Sequence, residues 1–175
     1  LDPTEPQRLG EAVARLGLKH VVITSVDRDD QKDGGARIWA ETIQAVHEAC
    51  PETSVEVLVG DFKGVEKDIQ LVCDARPEII SHNMETVDRM HPAVRPQARY
   101  ERSLKVLQQF KANGLVTKTG IMLGIGEHEH EAAHVPRRRA VVARPHAREH
   151  EAARVELRQG AATDLPLGDG EVDAV

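Results

Sequence analysis

Three short polar clusters carry the side chains of this 175-residue sequence best suited to chemistry. The first, "TSVDRDD" (24–30), follows directly on the apolar run "HVVIT" and packs three carboxylates around Arg28. Its Ser25 and Asp27 could hydrogen-bond a polar ligand. Equally, the segment could be a solvated turn in which Asp33 caps the next helix and Gly34–Gly35 open its first turn. The second cluster, "SHNMET" (81–86), places His82, Asn83 and Glu85 where a strand gives way to a loop. A carboxylate accepts well from two vicinal hydroxyls, and an amide less strongly, so Asn83 and Glu85 suit the hydroxyls of a ribose. The competing reading is a turn at Asn83 with Thr86 capping a short helix. In the third, "RPQARYERS" (95–103), Arg95 could reach an anionic group, for which Arg is better suited than Lys. The same charges could instead be a solvated first turn of helix. A glycine-rich stretch, "GIMLGIGE" (120–127), completes the set. Glycine weakens a strand unless a ligand or another backbone must come close, and the close-approach reading is favoured around Gly124.

The elements that must hold these clusters alternate. "TEPQRLGEAVARLG" has a cap candidate in Thr4 and apolar Leu9, Val13 and Leu16 at helical spacing. "KHVVITSV", "SVEVLVG", "EIISHN" and "TKTGIMLGIG" read as strands. Between them, "GGARIWAETIQAVHEAC", "VEKDIQLVCDA" and "YERSLKVLQQFKANG" read as helices, the first stopped by Pro51 and the last by Gly114. Such alternation implies a parallel sheet of βαβ units. No GxGxxG follows the first strand, which argues against a dinucleotide-binding doubly wound fold. A barrel or partial barrel remains, with its active site at the C-terminal strand ends. All four strand ends here carry polar or glycine-rich sequence: "SVDRDD", "GDF", "SHNMET" and "GIGE". Four such ends together favour a site on one rim.

Residues 128–153 differ in kind, with five His, five Arg and seven Ala and only three Val as large aliphatics. The segment has no period of 2 or 3.6 that could bury a face, and reads as disordered or loosely helical. Its "HEAAH" (130–134) matches the HExxH metal pattern, but Pro136 follows at once and the twin segment "EHEAARV" puts Arg154 at the second His position. A chance match is the better reading. The sequence predicts three parts: 1–127 as the barrel core, 128–153, and a tail of 154–175.

A net charge of −6 gives no reason to expect a nucleic-acid partner. No apolar run approaches the roughly 20 residues of a membrane span, and residues 1–20 lack the apolar region of a signal peptide. A cytoplasmic protein is expected. Cys50 and Cys73 do not make a disulfide scaffold or a CxxC group and read as helix-packing residues.

"GLKHVVITSVDRDD", "DGGA", "VEVLVGDFKG", "SHNMETV", "VRPQARYERSL" and "TKTGIMLGIGE" together resemble the lipoyl synthases, a family of radical S-adenosylmethionine (SAM) enzymes, in one continuous register from about residue 1 to Glu127. The resemblance implies an α/β fold, a partial (β/α)6 TIM-like barrel, incomplete here at about four parallel strands. It implies sulfur insertion: two sulfur atoms placed in a protein-bound octanoyl chain. The target C–H bonds are unactivated, so the cofactors carry the hard chemistry: SAM and two [4Fe–4S] clusters, one making a 5′-deoxyadenosyl radical and an auxiliary one supplying sulfur. Carried over residue by residue, Ser25 and Asp27 would lie near the SAM methionine, Asn83 and Glu85 would hold ribose or methionine groups, and Arg95 would face the SAM carboxylate. Lys118 and Gly124 would flank the nucleoside. Implied partners are octanoylated lipoyl-carrier domains and an electron donor such as ferredoxin or flavodoxin.

This chain departs from the family in lacking the CxxxCxxC group and the further cysteine triplet that hold the two clusters, so no metal ligand is expected among its residues and the chain by itself is expected to be inactive. Residues 154–175 resemble, loosely, a segment of class I SAM methyltransferases. A methyltransferase-related fusion and a non-catalytic truncated barrel are the alternatives. The strands "HVVIT" and "GIMLGI" would have unpaired edges, and the isolated chain is expected to associate.

Overall fold

The computed structural model describes residues 2–132. The tail of 154–175 and all but five residues of 128–153 lie outside the described residues. The chain begins with α1 (Glu5–Leu16), which has Pro6 in its first turn and closes at Gly17 in a left-handed conformation (φ 63°). Thr4 does not cap it with its side chain as expected. Its hydroxyl donates to Asp2 Oδ1 (2.7 Å), and Asp2 Oδ2 accepts from Arg8 Nη1 (2.8 Å), tying the helix start to the residues before it.

Then follow β1 (His20–Thr24), α2 (Ala36–Ala49), β2 (Ser54–Leu58), α3 (Glu66–Asp74) and β3 (Ile79–Ser81). A one-turn α4 (His91–Val94) precedes α5 (Tyr100–Ala112), β4 (Val116–Lys118) and a final turn, α6 (Glu129–Ala132). The four strands form one sheet in the order β1-β2-β3-β4, every pair parallel. This is the βαβ succession that the alternation of patterns demanded.

Successive side chains of a strand face opposite sides. Val21, Ile23, Val55, Val57 and Ile80 point to the helices. There they join Ile43 and Val46 of α2, Ile69 and Val72 of α3, and Leu104, Leu107 and Phe110 of α5 in one apolar core. Among the described residues no helix covers the other side of the sheet. The register lays it out in rows: Val22, Glu56, Ile79 and Val116 in one, and Thr24, Leu58, Ser81 and Lys118 in the next toward the C-terminal ends. Val22 and Val116, at the two ends of the first row, remain 42% and 43% exposed.

Helix α1 lies against α2 so closely that a Cβ added at Gly10 would sit 2.7 Å from the carbonyl oxygen of Ala45. Asp33 caps α2 as expected. Its Oδ1 accepts from the Gly35 N–H (3.0 Å) and its Oδ2 from that of Arg37 (3.0 Å), while Gly34 and Gly35 take φ of 61° and 83°.

The last predicted strand, 117–126, is corrected. Pairing stops at Lys118, and only a single bridge between Glu85 and Ile121 follows. Gly124 (φ 88°) and Gly126 (φ 117°) adopt backbone angles that no strand accommodates. The Glu127 carboxylate then accepts from the Gly124 and Ile125 N–H groups (2.6 and 3.0 Å), closing the segment into a loop. Beyond it, α6 is held by Arg89, whose Nε and Nη2 donate to the two Glu131 carboxylate oxygens (2.9 and 2.8 Å).

Candidate functional site

A cleft of about 460 Å³ opens at the C-terminal ends of β1, β2 and β3, the end at which parallel barrels place their sites. Each strand sends its following residues into it: Ser25 and Asp27 after β1, Asp61 after β2, and His82, Asn83 and Glu85 after β3. Arg95 and Arg102 complete its lining. Five of the seven residues singled out from sequence therefore meet in one cleft. Lys118 and Gly124 are not on its wall. Lys118 lies on the open face of the sheet, where its Nζ donates to Glu56 Oε1 (2.7 Å), and Gly124 belongs to the loop closed by Glu127.

The cleft is built rigidly. His82 is 2% exposed. Its Nδ1 lies 2.9 Å from the Val59 carbonyl, which can only accept, so Nδ1 carries the proton and donates. Nε2 then accepts from the Ser103 hydroxyl (2.9 Å), locking the end of β3 to α5. Burial, which disfavours the imidazolium, pushes the His82 pKa below its ordinary value of 6.5. The carbonyl of Val59 and the charge of Asp61 act against the shift, and Arg95 adds to it.

Asp61 holds the β2 corner twice. Oδ1 accepts from the Lys63 N–H (2.9 Å) and Oδ2 from Arg102 Nε (2.6 Å). Arg95 Nη1 donates to the Asn83 carbonyl (3.0 Å). The Asp27 carboxylate accepts from the Asp29 N–H (2.7 Å), and the Ser25 hydroxyl donates to the Val26 carbonyl (2.9 Å).

Glu85 is different. It sits at φ 64°, a left-handed conformation that costs a residue with a Cβ roughly 1–2 kcal/mol. Two backbone bonds to the glycine-rich loop hold it there: its N–H donates to the Gly120 carbonyl (3.1 Å), and its carbonyl accepts from the Met122 N–H (2.8 Å). Its carboxylate lines the cleft and has no hydrogen bond or ion pair within the described residues. A strained residue with an unengaged carboxylate is suited to grip a ligand's donors.

Sequence reasoning passed over Asp61 and Arg102. The first was within reach, since "GDF" ends β2 as "SHN" ends β3. The second was not, because Arg102 finds Asp61 from 41 residues away. Thr86, read as a helix cap, instead buries its hydroxyl with no hydrogen-bond partner among the described residues.

A parallel α/β half-barrel with its polar cleft on the C-terminal rim is the architecture of a barrel enzyme. The model of the Radical SAM superfamily matches residues 1–137, and the chain belongs to that superfamily. Among individual proteins it is similar to the lipoyl synthase of Phocaeicola vulgatus (53% identity over 135 residues, 77% of this chain and 48% of that protein). It is likewise similar to those of Treponema denticola (53% over 127 residues, 73% and 44%) and Rubrobacter xylanophilus (53% over 133 residues, 75% and 41%). The chain thus spans less than half the length of these relatives.

Among solved structures it is similar to methylornithine synthase (PylB), with a TM-score of 0.62 at 16% identity, covering 76% of this chain and 39% of that one. It is also similar to HydG, a maturase of the [FeFe]-hydrogenase, with a TM-score of 0.60 at 14% identity, covering 75% and 30%. At such identities these structures speak for the fold, the partial barrel expected from the sequence.

The superfamily works with SAM and an iron–sulfur cluster, and the two demands fare differently here. The chain's two cysteines do not fit a cluster. Cys73 is 1% exposed in α3, and burial pushes its thiol up to about 11, away from the thiolate a cluster needs. Cys50, half-buried at the end of α2, points its thiol at the Gly10 carbonyl (4.0 Å). Neither lines the cleft, and the described residues contain no group of three or more His, Cys, Asp or Glu placed to hold a metal. The cleft itself fits a polar organic ligand in size and in polar groups.

Proposed function

We propose that residues 1–127 are the SAM-binding part of a lipoyl synthase, the enzyme that inserts two sulfur atoms into an octanoyl chain carried on a protein. The observation that carries this reading is the 53% identity to the Phocaeicola vulgatus lipoyl synthase over 135 residues. SAM and two [4Fe–4S] clusters would supply the hydrogen-abstracting radical and the sulfur; the cysteines of this chain hold neither cluster.

The chain's own residues bind and orient. Glu85 takes the vicinal hydroxyls of the ribose, with Asn83 beside it. Arg95 pairs with the carboxylate of the methionine end, and Ser25 and Asp27 receive its ammonium side. Lys118 and Gly124 flank the nucleoside from the open face and the glycine loop. The octanoylated carrier domain is the macromolecular partner, a ferredoxin or flavodoxin the electron donor, and the cytoplasm the compartment.

A segment exchange tests this. The matching stretch of the Phocaeicola vulgatus lipoyl synthase is replaced by residues 2–127 of this chain, and an octanoylated carrier domain is followed by mass spectrometry. The expected product has gained two sulfurs and lost two hydrogens. A folded, cluster-loaded chimera that leaves the octanoyl chain unchanged overturns the reading.

A further inference from the structure

The open face of the sheet carries a charged group that the rim cleft does not use. Glu56 lies in the middle of β2 and is only 5% exposed. Its Oε1 accepts from the Ser81 hydroxyl (3.1 Å) and from Lys118 Nζ (2.7 Å), and its Oε2 lies 3.7 Å from His20 Nε2. One carboxylate on β2 thus gathers side chains from the three other strands. The register explains the reach. Lys118 is in the rim-side row with Ser81 and Leu58, and Glu56 is one row below on β2, so lysine and carboxylate meet across β3.

Stability alone does not call for this arrangement. Burying a carboxylate is costly unless it is paired, and an apolar residue of similar size would do as well or better. Its row-mates Val22, Ile79 and Val116 are all apolar. What the pair does fix is position. The Lys118 side chain is 59% exposed, and a flexible four-carbon stem in that setting would sweep a wide volume. Held by Glu56, its ammonium stays on the open face with two of its three N–H bonds directed away from the carboxylate. Glu56 Oε1 also meets Ser81, which shares its row with Leu58, and Leu58 lines the cleft, so the ammonium held on that oxygen lies beside the row that floors the cleft.

We propose that Glu56 is a positioning residue: it holds the Lys118 ammonium where its remaining N–H bonds meet an oxygen acceptor of the nucleoside–amino acid ligand seated in the rim cleft. This deepens the proposed function and rests on it for the identity of the ligand.

Two measurements on the full chain test it. In the first, lysines are acylated competitively with an N-hydroxysuccinimide ester and each is followed by peptide mass spectrometry, with exposed Lys67 and Lys105 as references. Glu56→Gln keeps the shape and can still bond Ser81, but lacks the charge. It is expected to raise the Lys118 rate several-fold and leave the references alone. An unchanged Lys118 rate overturns the proposal.

In the second, SAM binding is measured by equilibrium dialysis. Glu56→Gln is expected to weaken it about tenfold, the scale of one charge-assisted hydrogen bond, and to have no effect in a Lys118→Met background. Equal weakening in both backgrounds means that Glu56 acts through the fold, and overturns the positioning role. Should Glu56→Gln not fold, saturating SAM is expected to slow acylation of Lys118 in the unaltered chain and not of Lys67; equal labelling overturns the proposal. No SAM binding by the unaltered chain overturns the cleft reading itself, and the acylation rates still decide whether Glu56 pins Lys118.

Discussion

His91 shows how a single buried group sets the response of this chain to acid. It is 2% exposed, meets Tyr100 edge-on (centroids 5.5 Å apart), and buries Nε2 without a hydrogen-bond partner among the described residues. Burial lowers its pKa below 6.5 and the charge of Arg95 adds to this, as burial does for His82. Both imidazoles are therefore harder to protonate folded than unfolded. Above pH 6.5 neither state holds the proton and the chain has its full stability. As pH falls below that value the unfolded chain takes up protons first, and stability declines until the folded imidazoles titrate as well. The melting temperature is expected to drop between pH 7 and pH 5 (a window about the ordinary imidazole value). His91→Phe, which removes the orphaned nitrogen and keeps a ring against Tyr100, is expected to flatten part of that slope and to cost little at pH 7. A steeper slope in the variant would contradict the assignment. Circular dichroism melts across the pH series decide it.

At the scale of elements, the contact between α1 and α2 is the tightest joint, and Gly10 makes it possible. A methyl group there would stand 2.7 Å from a backbone oxygen, so the helices would have to part. Gly10→Ala is expected to destabilise the chain by about 1–3 kcal/mol, as overpacking does, although alanine is the better helix former. A urea melt with an unchanged midpoint would show that the joint gives way freely.

The elements themselves were largely legible: Asp33 before α2 and Gly114 after α5 mark real termini because caps and stops act within a few residues. The glycine loop was misread for a related reason. "GIMLGIG" alternates aliphatic residues with glycine, as a strand could. That Gly124 and Gly126 sit at positive φ follows from Glu127 folding back onto their backbone, which no period reveals. The cleft was legible as far as strand ends go, which brought Ser25, Asp27, Asn83, Glu85 and Arg95 together. It was illegible where a partner comes from another element, as for Arg102 on Asp61 or for Lys118 on Glu56.

For the molecule as a whole, the sheet has helices on one side only among the described residues. Among the described residues nothing pairs with the outer edge of β1 or of β4, and Val22 and Val116 lie exposed beside those edges. Parallel sheets ordinarily bury both faces, and unpaired edges beside apolar side chains are templates for association. The isolated chain is therefore expected to associate at about micromolar concentration, where partly covered apolar surface becomes hazardous. Size-exclusion chromatography with light scattering checks this. A sharp monomer with a cooperative thermal transition would show that four strands suffice.

The order of the sheet also bears on how the molecule comes into being. Each strand lies next to the one synthesised just before it, so no strand must wait for a distant partner or be threaded between two others. Every strand after β1 meets a finished edge, and every helix after α1 follows a strand already laid down. A chain emerging from the ribosome can thus grow its structure in the direction it is made, each βα unit templated by its predecessor. The unpaired backbone that invites association at the edge of β4 is of the same kind that, at β1, β2 and β3, received the next strand during synthesis.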